Sequence, residues 1–189
     1  AMRRSERSGT AVGVLILDLD HFKNVNDRYG HLAGDQVLAS VAAVLRSCVR
    51  DDDVVGRFGG EEFVVLLPGL DPGAQGRAEL LGVAERLRSR VEELDLAVDT
   101  PDGPMTLDSI TVSVGAALSG GPTSVEHLLK AADGALYAAK RGGRNQVRAA
   151  GALLVGPDIA DARHHGAPTI PAPRTPDEAP PAGARRRAG

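Results

Sequence analysis

At 189 residues, 42% of them hydrophobic and 25% charged, the chain has material for one well-buried core and a segment to spare. A formal net charge of −3 and only 3% aromatic residues, with arginines scattered along helical patterns, exclude a basic stripe or a stacking platform for nucleic acid. The single Cys48 excludes an internal disulfide, no apolar run is long enough to span a membrane, and Ala1-Met2-Arg3-Arg4 lacks the apolar segment of a signal peptide, so the sequence reads as soluble and cytoplasmic.

Residues 1–10 are polar and read as a loose N-terminal segment. Val14-Leu15-Ile16-Leu17 is a continuous apolar run, the pattern of a central strand covered on both faces, and it ends in Asp18-Leu19-Asp20. Sites in open sheets commonly lie at such strand ends. Phe22 to Gly30 predicts a short helix or turn. From Gly34 to Val49, the residues Val37, Leu38, Val41, Val44, Leu45 and Cys48 recur at helical spacing, which predicts an amphipathic helix with Cys48 as a small core residue. Asp35 then falls in the first turn, where an acid complements the helix dipole, and capping is a sufficient structural reason for it.

Arg50-Asp51-Asp52-Asp53 reads as a charged loop leading into Val54 to Leu67, two β-rich runs around Gly59-Gly60. Such a pair predicts a tight hairpin turn, because both positions tolerate positive φ. Glu61 and Glu62 then open the second strand on opposite faces, so only one of them shares a site with a carboxylate of the neighbouring strand. Taken alone, a solvated hairpin tip explains both acids equally well.

Ala74 to Glu93 predicts a helix whose stripe of Leu80, Ala84, Leu87, Val91 and Leu94 is core. Leu96 to Val98 and Met105 to Leu107 are expected to pair around Asp102-Gly103, and Thr111 to Leu118 to form a strand containing Gly115. Gly120-Gly121-Pro122 breaks the chain. Thr123 or Ser124 caps a helix to about Arg141, with Val125, Leu128, Leu129, Ala132, Leu136 and Ala139 as its core stripe. Residues 151–189 hold seven of the twelve prolines among Ala, Gly and Arg, which predicts a disordered tail with His164-His165 and Arg185-Arg186-Arg187 solvated. The folded domain is therefore expected over residues 11–150.

Three blocks carry a specific resemblance. Asp18-Leu19-Asp20-His21-Phe22-Lys23 with Asn26-Asp27, Gly30-His31 and Gly34-Asp35 is the first, and Arg57-Phe58-Gly59-Gly60-Glu61-Glu62-Phe63 is the second. The third runs from Ala132-Asp133 through Ala135-Leu136-Tyr137 and Ala139-Lys140 to Gly143-Arg144-Asn145. In this order they are similar to the GGDEF family of diguanylate cyclases. Alternating strands and helices imply a two-layer or three-layer α/β sandwich. The resemblance makes it a palm-like, nucleotidyl-cyclase-like α+β domain with a mixed, mostly antiparallel five-stranded sheet flanked by helices. The family's helix and Leu-Thr-Gly-Leu-x-Asn-Arg segment ahead of the first strand are not found in residues 1–10, so a shortened member or a piece of a longer chain is expected.

The activity that the resemblance implies is the condensation of two GTP molecules into cyclic di-GMP and two pyrophosphates. Mg²⁺, or Mn²⁺ in its place, takes oxygen ligands, which suits Asp18 and Glu61, and by resemblance the Leu19 carbonyl completes the protein ligands. Glu61 is also a candidate for deprotonating the 3′-hydroxyl. Phe22, Lys23, Asn26, Asp35, Lys140 and Arg144 match the GTP-binding positions, with Asn26 and Asp35 on guanine and the three cations on phosphate. For Lys140, a cation complementing a helix C-terminus is the structural alternative. Arg50 and Asp53 match the Arg-x-x-Asp site of product inhibition, with Arg86 as a helper from a neighbouring subunit. Each domain would bind one GTP, so a homodimer is implied, and an upstream sensor or regulatory domain is the expected attachment.

Two rival site chemistries fail on the residues. Phe22 and Lys23 stand where an EF-hand needs an oxygen ligand and a glycine, and no Gly-x-x-x-x-Gly-Lys-Ser/Thr run is present. The alternative from another functional class is a non-catalytic module that senses GTP or cyclic di-GMP. A complete set of metal and phosphate residues weighs against it.

Overall fold

A nine-residue strand that is apolar on both faces until Asp18 near its end has to lie inside a sheet, and β1 (Ala11–Leu19) is buried at every position. The computed structural model describes residues 9–120 and 123–151. The expectations for residues 1–8 and for the tail beyond residue 151, with His164-His165 and the three arginines, lie outside the described residues. After β1 come α1 (Phe22–Tyr29), α2 (His31–Ser47), β2 (Val54–Gly59), β3 (Glu62–Leu70) and α3 (Ala74–Glu92). They are followed by β4 (Leu96–Thr100), β5 (Gly103–Leu107), β6 (Val112–Leu118), α4 (Val125–Arg141) and β7 (Val147–Ala149). Among the described residues no helix is long and apolar enough to cross a membrane.

The five-stranded sheet has the order β2-β3-β1-β6-β7, antiparallel except where β7 joins β6 in parallel after the α4 crossover. β4 and β5 form a separate hairpin, tied to α2 by two bonds between the Gln36 amide and Asp99, at 2.8 and 2.9 Å. Alternation along β1 divides the core. Leu15, Leu17 and Leu19 face α2 and α3, meeting Val37, Val41, Leu80 and Leu87, whereas Val12, Val14 and Ile16 meet Leu128, Ala132 and Leu136 of α4. A Cβ at Gly115 would collide with the backbone at Ala132 and Leu136, so this glycine is what lets α4 lie directly on β6.

Several boundaries differ from the sequence expectation, each for a local reason. Gly30, at φ 85°, ends α1 and the next residue already begins α2, so Asp35 is in the second turn and the first turn holds no acid. Capping therefore does not explain Asp35. The hairpin turn is Gly60-Glu61 rather than Gly59-Gly60: an irregularity between Arg57 and Gly59 shifts the register, Gly59 pairs with Glu62, and only Gly60 of the two glycines has positive φ. Glu61 thus sits in the turn instead of opening the strand. The second hairpin turns at Pro101-Asp102, one residue before the expected pair. Cys48 lies at the C-cap of α2, partly buried against the core instead of within the helix stripe. Val125, at the first position of α4, is 50% exposed and not part of the core stripe, while Ser124 provides the expected cap by accepting from the His127 N–H at 3.1 Å.

Candidate active site

At the end of β1, Asp18 stands opposite Glu62 on β3 and Ser113 on β6. Directly paired residues share a face, here the one that α4 covers. Lys140, in the last turn of α4, reaches Asp18 Oδ2 at 2.7 Å. Burial pushes the Asp18 carboxyl above its ordinary pKa, the charges of Glu61 and Asp20 add to this, and Lys140 opposes it. Glu62 is raised as well, first by burial and then by the charge of Asp18. Two acids on adjacent strands are therefore uneasy as anions, and one cation partly offsets them. Glu62 is not singled out by the sequence, because which of the two adjacent glutamates faces Asp18 depends on the register between β1 and β3, strands far apart in the chain.

Beside this cluster, between α1, α2 and the β2–β3 hairpin, opens a cleft of about 450 Å³ lined by Phe22, Lys23, Asn26, His31, Asp35, Leu38, Arg57, Gly60 and Glu61. The short α1 followed at once by α2 is what folds Asn26 and Asp35 towards one another across Gly30. Five of the sequence-derived site residues thus line one wall-to-wall space, with Asp18 and Lys140 next to it. Lys23 is exposed and paired with Asp27 at 2.6 Å, a surface contact worth little and easily exchanged for a ligand. Arg57 donates from Nε to the Gly60 carbonyl at 2.7 Å, which braces the turn that carries Glu61.

Two residues beyond Asp18, Asp20 has a different surrounding. Its carboxylate accepts from Ser113 Oγ at 2.7 Å, from Thr111 Oγ1 at 2.9 Å and from the backbone N–H of Asn145 at 3.0 Å. Arg144 and Asn145 both have positive φ, at 63° and 44°, a conformation that side-chain-bearing residues seldom adopt and that needs outside support. Asp20 supplies it from below. From the side, Arg88 of α3 donates to Asn145 Oδ1 at 2.7 Å, and Asn145 Nδ2 donates to Glu92 at 2.7 Å. Arg88 is further gripped by Glu85 and Glu92, which raises its pKa. The exposed Arg144 is therefore presented on a fixed turn immediately after Lys140. None of these supports was legible in the sequence, since Asp20 and Asn145 are far apart in the chain.

A family model described as "Diguanylate cyclase, GGDEF domain" matches residues 1–146. The chain belongs to the GGDEF family. It is 41% identical over 143 residues to the diguanylate cyclase DosC of Escherichia coli (strain K12), covering 76% of this chain and 29% of that one. The chain spans about 30% of the length of such curated relatives, 29–34% among DosC, DgcM and the Treponema denticola protein. Among solved structures, the GGDEF domain of DgcB from Caulobacter crescentus in complex with c-di-GMP is similar at a TM-score of 0.70 and 37% identity, covering 78% of this chain and 82% of that one. The active GGEEF domain of a diguanylate cyclase from Vibrio cholerae is similar at a TM-score of 0.67 and 29% identity, over 78% of this chain and 88% of that one.

In this GGDEF domain the Arg50–Asp53 loop lies at the far end of α2 from the cleft, roughly 20 Å from Asp35 at helical rise. It is a closed turn. The Arg50 N–H donates to Asp53 Oδ2 at 2.8 Å, the Asp53 N–H returns to the Arg50 carbonyl at 3.1 Å, and Arg46 donates to the Asp53 carbonyl at 2.8 Å. Asp53 is buried, whereas the Arg50 side chain is largely exposed and pairs with Glu79 of α3 at 2.8 Å. Arg86 joins the same corner within one chain, donating to the Cys48 carbonyl at 3.1 and 3.3 Å. The structure thus gathers the site residues into two groups, the cleft with Asp18, Lys140 and the Arg144 turn, and the separate Arg50–Asp53–Arg86 corner.

Proposed function

We propose that this GGDEF domain makes cyclic di-GMP from two molecules of GTP. The observation that carries this reading is the cleft, in which Phe22, Lys23, Asn26, Asp35 and Glu61 meet beside the Asp18–Lys140 pair. Asp35 suits guanine, because a carboxylate accepts from both N1–H and the exocyclic amine, a donor pair that adenine lacks. Its lack of a capping role leaves it available for that task. Lys140, Arg144 and Lys23 hold the triphosphate. The 3′-hydroxyl of each nucleotide attacks the α-phosphorus of the other, the bond to the bridging oxygen of the β-phosphate breaks, and pyrophosphate departs, once for each of the two new phosphodiester bonds. Glu61 in the hairpin turn takes the hydroxyl proton.

The donors present fit a hard divalent cation. Asp18 and Glu61 offer carboxylate oxygens, the Leu19 carbonyl lies between Asp18 and Asp20, and an acid pushed up by burial and like charge gains from a cation beside it. Among the described residues no three acid, His or Cys side chains form a ready-made cage, which suits Mg²⁺, since it completes its shell with phosphates and water. Bound there, Mg²⁺ or Mn²⁺ supplies charge neutralisation for the triphosphate. One domain holds one nucleotide, so two domains facing one another as a homodimer complete the reaction. The Arg50–Asp53 corner with Arg86 is the site at which product inhibits, an upstream domain supplies the regulation, and the cytoplasm, where GTP is abundant, is the compartment.

The test is to incubate the purified chain with GTP and Mg²⁺ and to separate the nucleotides chromatographically, with Glu61→Ala as control. Cyclic di-GMP that disappears in the variant is the expected result. No product, even from the chain fused to a dimerising coiled coil, would overturn the cyclase reading in favour of a receptor. Arg50→Ala is expected to relieve inhibition by added cyclic di-GMP, and unchanged inhibition removes the corner from the account.

A further inference from the structure

We propose that Gly34 is a positioning residue of the nucleotide cleft: by having no side chain, it fixes where the Asn26 amide meets the guanine edge. The inference rests on the guanine reading of the cleft. Gly34 is buried within α2 in ordinary helical conformation, so nothing in its backbone asks for glycine, which is a poor helix former. What asks for it is space. A Cβ built there would collide with Asn26 Oδ1, stand 3.0 Å from Asn26 Cγ and approach Phe22 Cζ to 3.2 Å, and both of these residues line the cleft.

Among the described residues no hydrogen bond holds the Asn26 side chain, so packing on Gly34 is what places it. An amide held by shape, with its donors and acceptor still free and facing a cleft, is prepared for a ligand. The nature of the collision separates this glycine from Gly115, where a Cβ would strike the backbone of α4 and threaten the packing itself. At Gly34 the obstacle is the end of a flexible side chain. Substitution by alanine is therefore absorbed by moving Asn26, and the loss falls on binding, not on folding.

The experiment uses the purified full chain with 3′-deoxy-GTP and Mg²⁺, a probe that cannot cyclise because it lacks the attacking hydroxyl. Titration calorimetry on the parent, Gly34→Ala, Asn26→Ala and the double variant gives a complete cycle. Gly34→Ala should weaken binding about tenfold, the scale of one lost hydrogen-bonding group, while its Tm stays level or rises. In the Asn26→Ala background the same substitution should cost nothing further. Equal binding by Gly34→Ala, an equal loss in the Asn26→Ala background, or a clear fall in Tm overturns the proposal. If the parent binds no nucleotide, the guanine reading fails separately, and a crystal structure of Gly34→Ala decides the steric claim: a displaced Asn26 upholds it and an unmoved Asn26 refutes it.

Discussion

Asp18 and Asp20 leave the same strand end two residues apart, and their surroundings follow opposite rules. Asp20 has its carboxylate saturated by two hydroxyls and a backbone N–H, and it holds the Arg144–Asn145 turn in shape. Asp18 is buried beside other acids with one lysine to offset them, and its pKa is pushed up. A carboxylate whose neighbours are all donors is architecture. One whose neighbours are mostly acids is held in an unfavourable state that a ligand relieves, which is how working sites tend to differ from structural ones. The Asp-x-Asp spacing alone does not distinguish the two.

Substitutions can break that contrast. The largest effect is expected on chemistry: Glu61→Ala, or Asp18→Asn, should lower cyclic di-GMP formation by about two orders of magnitude or more, read by chromatography of the GTP reaction. Next, Asp20→Ala strands three donors in a part-buried place and should cost about 2–3 kcal/mol in urea denaturation. If Asp18→Ala cost as much, the contrast between the two acids would be lost. Arg88→Ala removes the links to Glu85, Glu92 and Asn145 and should cost about 1–2 kcal/mol, with a rise in KM for GTP as the Arg144 turn loosens.

The smallest effect is the most diagnostic. Because the folded-state pKa of Asp18 is raised, the folded chain binds a proton more tightly than the unfolded one. The stability this contributes is present below the ordinary carboxylate range and is lost as pH rises through the raised value. Asp18→Asn cannot ionise, so in metal-free buffer it should melt slightly above the parent at neutral pH, and the two curves should converge in acid. Asp20→Asn should melt below the parent at neutral pH, since an amide cannot accept as many bonds. A lower melting temperature for Asp18→Asn at pH 7 would show that the Lys140 pair outweighs the burial of Asp18.

What could be read from the chain was whatever repeats at short range. Alternation and apolar runs place β1, β3 and β6, and the stripe of Leu80, Leu87 and Val91 places α3, because periodicity is local. β7 has no signature in the sequence: three residues carry no period, and their place beside β6 is decided by a crossover that no local signal records. The helix that the apolar spacing opens at Gly34 begins at His31, since Gly30 separates two helices without an intervening loop. The bulge at the hairpin puts Glu61 in the turn, the β1–β3 register puts Glu62 opposite Asp18, and the sequence shows only that a Gly-Gly pair is nearby. For the site, the three motif blocks single out Asp18 as a candidate, but the part Asp20 plays in holding the Arg144–Asn145 turn needed distances.

The bond from the Asn145 N–H to Asp20 closes the chain across 125 positions. Closing so long a loop is slow to organise and is rewarded only when the strands between are already paired. The Arg144–Asn145 turn and the acid end of β1 thus come into being together, late, once the strands between them are paired. During refolding from urea, recovery of nucleotide binding should therefore coincide with the slowest phase seen by circular dichroism, which makes ligand binding a clock for completion of the whole domain.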